Sequence, residues 1–349
     1  MGLYHYRYQG EAEEARVHLR LDPDGHGTLI VNANRVMHLN PTAALMAWLI
    51  LEKKEDADAI QIIQKQYRVE HARARLDLAA IRSQLDELIR PNGACPIHDL
   101  NLETFTPFSA RPTAPYRLDL ALTYRCNNDC THCYNVERPP AGHSAMDDSH
   151  NYELATASWK TIIDKAWSLG IPHIIFTGGE PTLRHDLPEL VAHAEGNGQI
   201  TGLNTNARRL ADAKFVEQLV QAGLDHVQIT VESADEEVHN RMVNAKAFKQ
   251  TVQGLKNVLD TRLYVMTNTT MLRTNVHTIP ATLDFLADLG VLTVGLNALI
   301  YSGRGASGGT GLSEAELEPL LKIARQKTEA HGQRLIWYTP TQYCNFDPV

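Results

Sequence analysis

From Tyr116 onward the chain alternates strand-like and helical segments, and this alternation constrains the fold more than any other feature. The strand patterns cover residues 117–123, 173–177, 200–204, 226–231, 263–269 and 293–298. Helical patterns intervene or follow at residues 152–169, 187–195, 211–222, 248–259, 277–289 and 313–330. Strands separated by helices pair in parallel through right-handed crossovers. We therefore predict an α/β fold whose functional residues lie at the carboxyl ends of a parallel sheet.

Three of the five cysteines lie within eight residues, directly after the first strand pattern. Three residues separate Cys126 from Cys130, and two separate Cys130 from Cys133. Thiolates this close in sequence converge on one soft metal centre. A zinc site would need a fourth ligand, for which His132 is the nearby candidate. An iron–sulfur cluster normally takes four cysteines, so three would leave one iron open. Reduced thiols without a metal are the third interpretation.

Two motifs together resemble those of the radical S-adenosylmethionine (SAM) enzymes. They are the Cys-x3-Cys-x2-Cys spacing after the first strand and Gly178-Gly179-Glu180-Pro181 at the end of the second. The resemblance implies that the three cysteines hold a 4Fe-4S cluster whose fourth iron is chelated by SAM. Electron transfer would then split SAM into methionine and a 5′-deoxyadenosyl radical. It also implies a partial (βα)6 TIM-like barrel and an electron donor such as flavodoxin or ferredoxin.

The same resemblance assigns contacts with SAM to residues at the strand ends. The Gly-Gly-Glu motif would meet the amino group, polar residues after the fourth strand the ribose, and an arginine the carboxylate. The residues concerned are Gly178, Gly179, Glu180, Asn204, Thr230, Glu232 and Arg241. The family more often has Ser at position 230 and Asp-Gly at positions 232–233, so the ribose ligand is the least defined. No side chain is identified as the final hydrogen donor.

A later segment resembles members of the family that carry an additional iron–sulfur (SPASM) domain. Asn297 is followed after four residues by Ser302-Gly303-Arg304-Gly305, which we interpret as a mobile loop beside the site. Such domains begin with a cysteine like Cys344 and need about six more ligand cysteines, none of which follows it. Residues 332–349 are therefore interpreted as a tail. Either this tail is the start of a truncated auxiliary-cluster domain, or Cys344 has no role in binding a cluster.

Residues 1–94 have the pattern of a separate small α+β domain. Residues 17–21 alternate as a strand, and residues 27–36 predict one or two more. Helices are predicted at residues 42–53, 56–67 and 72–89, the first with Asn40 as its N-cap and Pro41 at its first position. A few strands followed by three helices predict a winged-helix-like domain. A proline-rich linker, residues 95–115, leads to the barrel at residues 116–331; Cys95 in it is interpreted as a reduced thiol.

The function of this N-terminal module has three interpretations: DNA binding, peptide binding and a structural cap. Residues 1–95 contain 12 Lys and Arg against 13 Asp and Glu, a balance of 12 − 13 = −1, whereas a DNA reader is normally basic. Leu39-Asn40-Pro41-Thr42-Ala43, with Trp48, resembles the RiPP recognition element of peptide-modifying enzymes. That resemblance implies capture of a leader peptide as an added strand. We expect the sheet edge that pairs with this peptide to lie at about residues 28–37.

The leading prediction is a radical SAM enzyme that modifies a ribosomally synthesised peptide or protein. One alternative gives the same chemistry a small-molecule or tetrapyrrole substrate. Another is a non-catalytic iron–sulfur or zinc regulator with a DNA-binding winged helix. The net charge of −8 argues against nucleic acid as a general partner. No apolar run reaches membrane-spanning length, and no signal peptide is apparent, so we expect a cytoplasmic protein with no membrane partner.

Overall fold

The computed structural model describes residues 2–9, 14–32, 35–89, 113–135 and 153–342. The chain forms two compact units. The first comprises Met1–Leu118, Thr161–His173 and Asn197–Ile200, and the second comprises the rest. Most of the predicted linker and the end of the predicted tail lie outside the described residues, as do Cys95 and Cys344. The predicted domain boundaries at residues 94, 115 and 331 stay predictions.

An antiparallel sheet and three helices form the N-terminal part of the first unit. The strands are β1 (Gly2–Gln9), β2 (Glu14–Leu21), β3 (Gly27–Val31) and β4 (Arg35–Leu39), which lie in this order in the sheet. The helices are α1 (Pro41–Leu51), α2 (Asp56–Gln66) and α3 (His71–Ile89). The predicted helices are all present, but β1 was not predicted. The resemblance to a winged helix stays a prediction.

The position of the free sheet edge differs from the expectation for residues 28–37. Strand β3 pairs on one side with β2 and on the other with β4, so residues 28–31 lie inside the sheet. Among the described strands, β1 and β4 are the two edges. The earlier expectation was wrong in this respect because residues 27–36 form two strands, and only the second of them reaches the edge.

One face of this sheet forms the apolar core with the helices. Val17, Leu19 and Leu29 are fully buried there, together with residues of α1 and α3. Helix α1 is apolar on nearly all sides because it is packed both against the sheet and against α2 and α3. Its start is fixed by Asn40, whose Oδ1 accepts a hydrogen bond from the Ala43 backbone N–H at 2.9 Å.

The other face of β2 carries three buried basic residues, Arg16, His18 and Arg20. Their nitrogens donate to backbone carbonyls within the same unit, those of Gly198, Gln199, Ala114 and Gly170. The Gly170 and Gly198 carbonyls follow the ends of helices α4 (Thr156–Ser168) and α5 (Leu187–Asn197). Carbonyls at helix ends lack helical partners, and cationic donors there are favourable.

The second sheet has seven strands in sequential order. They are β5 (Arg117–Ala121), β6 (His173–Thr177), β7 (Ile200–Thr205), β8 (His226–Thr230), β9 (Tyr264–Thr270), β10 (Thr293–Asn297) and β11 (Arg334–Trp337). Neighbours from β7 to β11 pair in parallel. This confirms the α/β fold with a parallel sheet, consistent with a TIM-like barrel. Six strands were predicted; the seventh, β11, lies in the segment that was interpreted as a tail.

Helices connect successive strands of this sheet. Besides α4 and α5 they are α6 (Ala213–Gln221), α7 (Glu236–Val243), α8 (Phe248–Leu259), α9 (Ile279–Asp288) and α10 (Glu314–Ala330). Residues Val227, Ile229 and Val294 on one face of the strands are fully buried. None of the helices in the described part of the chain combines the length and apolar character that a membrane span requires.

The opposite face of the sheet, here called the inner face, is polar toward the carboxyl ends of the strands. The strand registers place Asn204 beside Gln228, and Asn268 beside Gly295. A Cβ on Gly295 would lie 2.5 Å from the Tyr338 ring and 3.2 Å from Asn268 Oδ1, so these groups share that face. The glycine is needed because Tyr338 lies across this strand and donates to Gln228 Oε1 at 3.2 Å.

Candidate active site

The three cysteines lie in residues 126–133, here called the cysteine loop, which follows β5. All three are partly buried and none forms a disulfide. The loop rests on the carboxyl end of α7, where the Asp129 N–H donates to Val243 O at 2.9 Å and the Thr131 N–H to Met242 O at 3.0 Å. Donors of the loop thereby satisfy carbonyls that the helix end leaves without partners.

Two arginines from different strand ends hold the backbone of the cysteine loop. Arg208, after β7, donates to Asn127 O and, at 3.0 Å, to Asn128 Oδ1. Arg304, after β10, donates to the Asp129 carboxylate at 2.6 Å, to Asp129 O at 3.0 Å and to Cys130 O at 3.2 Å. Arg208 was not singled out from the sequence, and Arg304 was named only as part of the Ser302–Gly305 segment, because such contacts join residues far apart in the chain.

The Ser302–Gly305 segment packs directly on the cysteine loop. The Arg304 N–H donates to Cys133 O at 2.9 Å. Gly303 has φ of +55°, and a Cβ there would lie 2.6 Å from Cys133 O. Glycine is required at this position because of both the left-handed backbone and the close approach. The segment therefore lies beside the site as predicted from the sequence.

The Gly178–Glu180 motif lies at the end of β6 and packs on the chain that leads into the cysteine loop. The Gly179 N–H donates to Thr123 O at 2.6 Å, and the Glu180 N–H to Arg125 O at 2.8 Å. A Cβ on Gly178 or Gly179 would overlap the carbonyl oxygens of Thr123 and Arg125. The two glycines thus permit close contact between two backbone segments, and their predicted contact with SAM stays a prediction.

The Glu180 carboxylate is buried and surrounded by donors. It accepts hydrogen bonds from Thr182 Oγ1 at 2.6 Å, the Thr182 N–H at 3.1 Å, Thr205 Oγ1 at 2.7 Å and the Asn206 N–H at 2.8 Å. Burial raises the pKa of the Glu180 carboxyl above its ordinary value, although the four donors favour the ionised form. The carboxylate therefore joins the end of β6 to the end of β7.

Glu232, after β8, makes a second link to the cysteine loop. Its Oε1 lies 3.0 Å from His132 Nε2, and its Oε2 accepts from the Thr270 N–H at 3.0 Å. Burial lowers the pKa of His132, but the charge and hydrogen bond of Glu232 outweigh this and leave it above its ordinary value. Glu232 is thus engaged by protein groups in the place where the sequence predicted a contact with SAM.

The other residues predicted to contact SAM are Asn204, Thr230 and Arg241. Thr230 and Asn204 occupy the carboxyl ends of β8 and β7, where the register places them beside Asn268 and Gln228. Arg241 is exposed on α7, close in sequence to the residues that contact the cysteine loop. A direct hydrogen bond joins Glu232 to the cysteine loop, whereas Gly179 and Glu180 bond to Thr123 and Arg125 just before that loop.

The arrangement of the thiols bears on which metal centre they fit. In the described part of the chain, no group of three or more Cys, His, Asp or Glu side chains is placed so that it could hold a single metal ion. Zinc with bonds of about 2.3 Å would draw its thiolates to within about 4 Å of each other. In a four-iron cluster each cysteine binds a separate iron, so the thiols lie farther apart. Three cysteines are the donor set of a four-iron cluster in which one iron is left without a protein ligand.

Comparison with known proteins gives several matches. A protein-family model described as the Radical SAM superfamily matches residues 120–297. Fe-coproporphyrin III synthase from Methanosarcina barkeri is 34% identical over 186 residues, which are 53% of this chain and 44% of that protein. The chain thus covers less than half the length of this relative.

Solved structures show a similar fold. Streptococcus suis SuiB bound to the precursor peptide SuiA superposes with a TM-score of 0.64 at 15% identity, covering 96% of this chain and 73% of that one. The structure of anSMEcpe with bound AdoMet gives a TM-score of 0.51 at 14% identity, covering 63% of each chain. The family match spans more than half of the sequence and includes the end of β5, the cysteine loop, the Gly-Gly-Glu motif and β6–β10. The chain therefore belongs to the radical SAM superfamily, whose enzymes use a 4Fe-4S cluster together with SAM.

Proposed function

We propose that this radical SAM enzyme modifies a ribosomally synthesised peptide, or a protein segment, that its N-terminal module captures. The observation that carries the proposal is the sheet of that module, in which β4 ends the row of described strands. A sheet edge can receive an extended peptide as an added strand through backbone hydrogen bonds. The fold shared with SuiB, a protein solved with its precursor peptide, supports the same proposal.

The proposed cluster ligands are Cys126, Cys130 and Cys133. When bound at such a cluster, SAM supplies a 5′-deoxyadenosyl radical that abstracts hydrogen from the substrate. The proposed SAM contacts remain Gly178, Gly179, Glu180, Asn204, Thr230, Glu232 and Arg241. The exposed Arg241 guanidinium suits a carboxylate. Because the Glu180 carboxylate is fully engaged, we assign the contact with the amino group to backbone carbonyls of this motif. An external electron donor such as flavodoxin or ferredoxin is a further proposed partner.

Strand β4 has side chains that suit both packing in the core of the module and contact with an added peptide. Met37 and Leu39 are buried in the core of the module, whereas Val36 is 40% exposed. Residues pointing inward fix the strand, and those pointing outward can contact the side chains of an added peptide. A leader peptide is therefore proposed to pair with residues 35–39.

A small-molecule substrate is the second candidate, and it is supported by the 34% identity with Fe-coproporphyrin III synthase. The inner face argues against a tetrapyrrole with several carboxylates, however. Strands β7–β10, all of them described, contain no Lys or Arg. Carboxylates in a protein site are usually held by charge-assisted hydrogen bonds from such residues.

Amide side chains occupy this face instead. They are those of Asn204, Gln228, Asn268 and Asn297. The Oδ1 atoms of Asn268 and Asn297 are buried without a hydrogen-bond partner. Buried acceptors of this kind favour a ligand that presents N–H or O–H donors. A peptide amide meets that requirement, and a carboxylate does not.

The test compares two ligands on the full chain. One is the peptide encoded by the nearest short open reading frame, and the other is Fe-coproporphyrin III. We expect the peptide to bind with little dependence on salt and to slow backbone hydrogen exchange in β4 but not in β1, the opposite edge. The Val36→Asp variant should bind this peptide more weakly. Leu76→Asp, at a residue of α3 that is 62% exposed, is the matched control and should bind normally.

Saturable binding of Fe-coproporphyrin III, with no effect of the peptide on β4, would replace the peptide proposal by the second candidate. Equal loss of peptide binding in the Val36→Asp and Leu76→Asp variants would remove β4 from the peptide site.

A further inference from the structure

The turn that follows β7, residues 205–208, meets the cysteine loop through Asn206. The Asn206 Nδ2 carries two hydrogens and has two acceptors in that loop. It donates to Asn127 Oδ1 at 2.7 Å and lies 3.9 Å from Cys126 Sγ. The Asn128 backbone N–H points at the same sulfur from 3.4 Å. Two N–H groups are thus directed at one thiol.

The orientation of Asn206 is fixed by its other polar atoms. Its N–H donates to Glu180 Oε2 at 2.8 Å, and its backbone carbonyl accepts from Thr251 Oγ1 at 2.9 Å. Its Oδ1 accepts from the Arg208 N–H at 3.0 Å, so the amide cannot be flipped without losing that bond. Asn206 therefore bonds both to Glu180 of the Gly-Gly-Glu motif and to Asn127 of the cysteine loop.

The backbone of this turn is held in an unfavourable conformation. Ala207 has φ of +61°, in the left-handed region that is unfavourable for a residue with a Cβ. The Ala207 N–H donates to Thr205 Oγ1 at 3.0 Å, and Gly254 leaves room for the Ala207 carbonyl. Strain of this kind persists where the surroundings determine the geometry and is concentrated at functional sites.

A donor beside a cluster thiolate has a predictable electrostatic effect. One-electron reduction adds a negative charge to the cluster, and part of that charge lies on the sulfur ligands. Hydrogen bonds to these sulfurs stabilise the reduced form and raise the reduction potential. Removal of a donor should therefore make the potential more negative.

We propose that Asn206 is a positioning residue that orients the Cys126 thiolate and, through its Nδ2–H, raises the reduction potential of the cluster bound there. The inference rests on the proposed role of Cys126, Cys130 and Cys133. It goes beyond that role because it assigns to a residue outside the cysteine loop a share in setting how easily the cluster accepts its electron.

The test uses two variants of the full chain that add the same charge at neighbouring positions. Asn206→Asp keeps the acceptor for the Arg208 N–H but removes both Nδ2 donors. Asn127→Asp adds a carboxylate while keeping an acceptor for Asn206 Nδ2. After anaerobic reconstitution, iron content is measured, and the midpoint potential is determined by EPR-monitored titration without SAM. We expect both midpoints to become more negative than in the wild type, and that of Asn206→Asp to be the more negative.

Equal midpoints in the two variants would mean that only the added charge matters and would overturn the inference. If Asn206→Asp loses its iron, Asn206→Ser is measured instead, since it shortens the side chain without adding charge. A wild-type midpoint in that variant would overturn the inference as well. Failure of the wild-type chain to hold about four irons would instead contradict the proposed cluster ligands.

Discussion

At the scale of single residues, the Glu180 carboxylate shows how the ends of two strands are held in register. A buried carboxylate is costly unless donors surround it. Glu180 is 1% exposed and accepts two backbone and two hydroxyl hydrogen bonds. The hydroxyls of Thr182 and Thr205 can rotate to offer an oxygen, whereas the backbone N–H groups of Thr182 and Asn206 can only donate.

Glu180→Gln should therefore destabilise the fold. The two backbone N–H groups donate to different oxygens of Glu180. Whichever oxygen the NH2 group of Gln replaces, two donors therefore face each other without an acceptor. We expect a loss of about 1–3 kcal/mol in the free energy of unfolding, measured by urea denaturation of the iron-free protein. Glu189→Gln is the control, because Glu189 is 57% exposed and pairs only with Lys160 in the described contacts, so its change should be small. Equal stabilities of the two variants would contradict this role of Glu180.

At the scale of elements, β2 is unusual because both of its faces are buried. Its apolar side joins the core, and its basic side donates to backbone carbonyls of the same unit. His18 lies in the middle of that basic side and donates through Nε2 to Gly198 O at 2.8 Å. Burial lowers the pKa of His18 to about 3, against a smaller opposing effect of that hydrogen bond.

The low pKa of His18 predicts a loss of stability in acid. Above its ordinary pKa of about 6.5, His18 is neutral in both the folded and unfolded states and has no effect. As the pH falls from about 6.5 towards 3, the unfolded state binds a proton that the folded state does not bind. The free energy of unfolding then falls by up to 1.36 kcal/mol per pH unit.

The measurement compares the wild type with His18→Gln at pH 7 and pH 5. When the pH falls from 7 to 5, we expect the wild type to lose about 2 kcal/mol more of its free energy of unfolding than His18→Gln does. His26→Gln is the control, since the His26 side chain is 57% exposed. Parallel pH profiles of wild type and His18→Gln would show that His18 titrates normally.

The elements predicted from the sequence are those with a strong local pattern. The cysteine spacing and the Gly-Gly-Glu motif are short, and each strand or helix was predicted from the pattern within its own residues. Strand β1 was not predicted, although Tyr4, Tyr6 and Tyr8 alternate with polar residues. Strand β11 has only four residues, too few for a period of two to be distinctive.

The contacts within the site were less accessible from the sequence. Glu180 with Thr205, Asn206 with Cys126, and Glu232 with His132 each join residues that are more than twenty positions apart. No local pattern specifies such pairs, because the sheet brings them together only after its strands are in register. The contacts of Glu180 and Glu232 with protein groups were therefore not predicted, and their predicted contacts with SAM stay predictions.

At the scale of the whole molecule, the chain combines the parallel sheet of a radical SAM protein with an N-terminal sheet that has β4 as an edge strand. Family membership and the cofactors follow from the match over residues 120–297. The peptide substrate is a proposal that rests on strand β4, and the residues that hold the cofactors are proposals that rest on the cysteine loop. Each of its three cysteines should be necessary, because the three thiolates bind one cluster.

The most direct measurement is the metal content of the anaerobically reconstituted full chain, with Cys126→Ala, Cys130→Ala and Cys133→Ala measured in parallel. We predict about four irons per chain, a visible absorbance band and reductive cleavage of SAM to 5′-deoxyadenosine in the wild type. Each variant should lose SAM cleavage completely rather than in part. One tightly bound zinc without visible absorbance, or full SAM cleavage in any of the three variants, would contradict the proposed site.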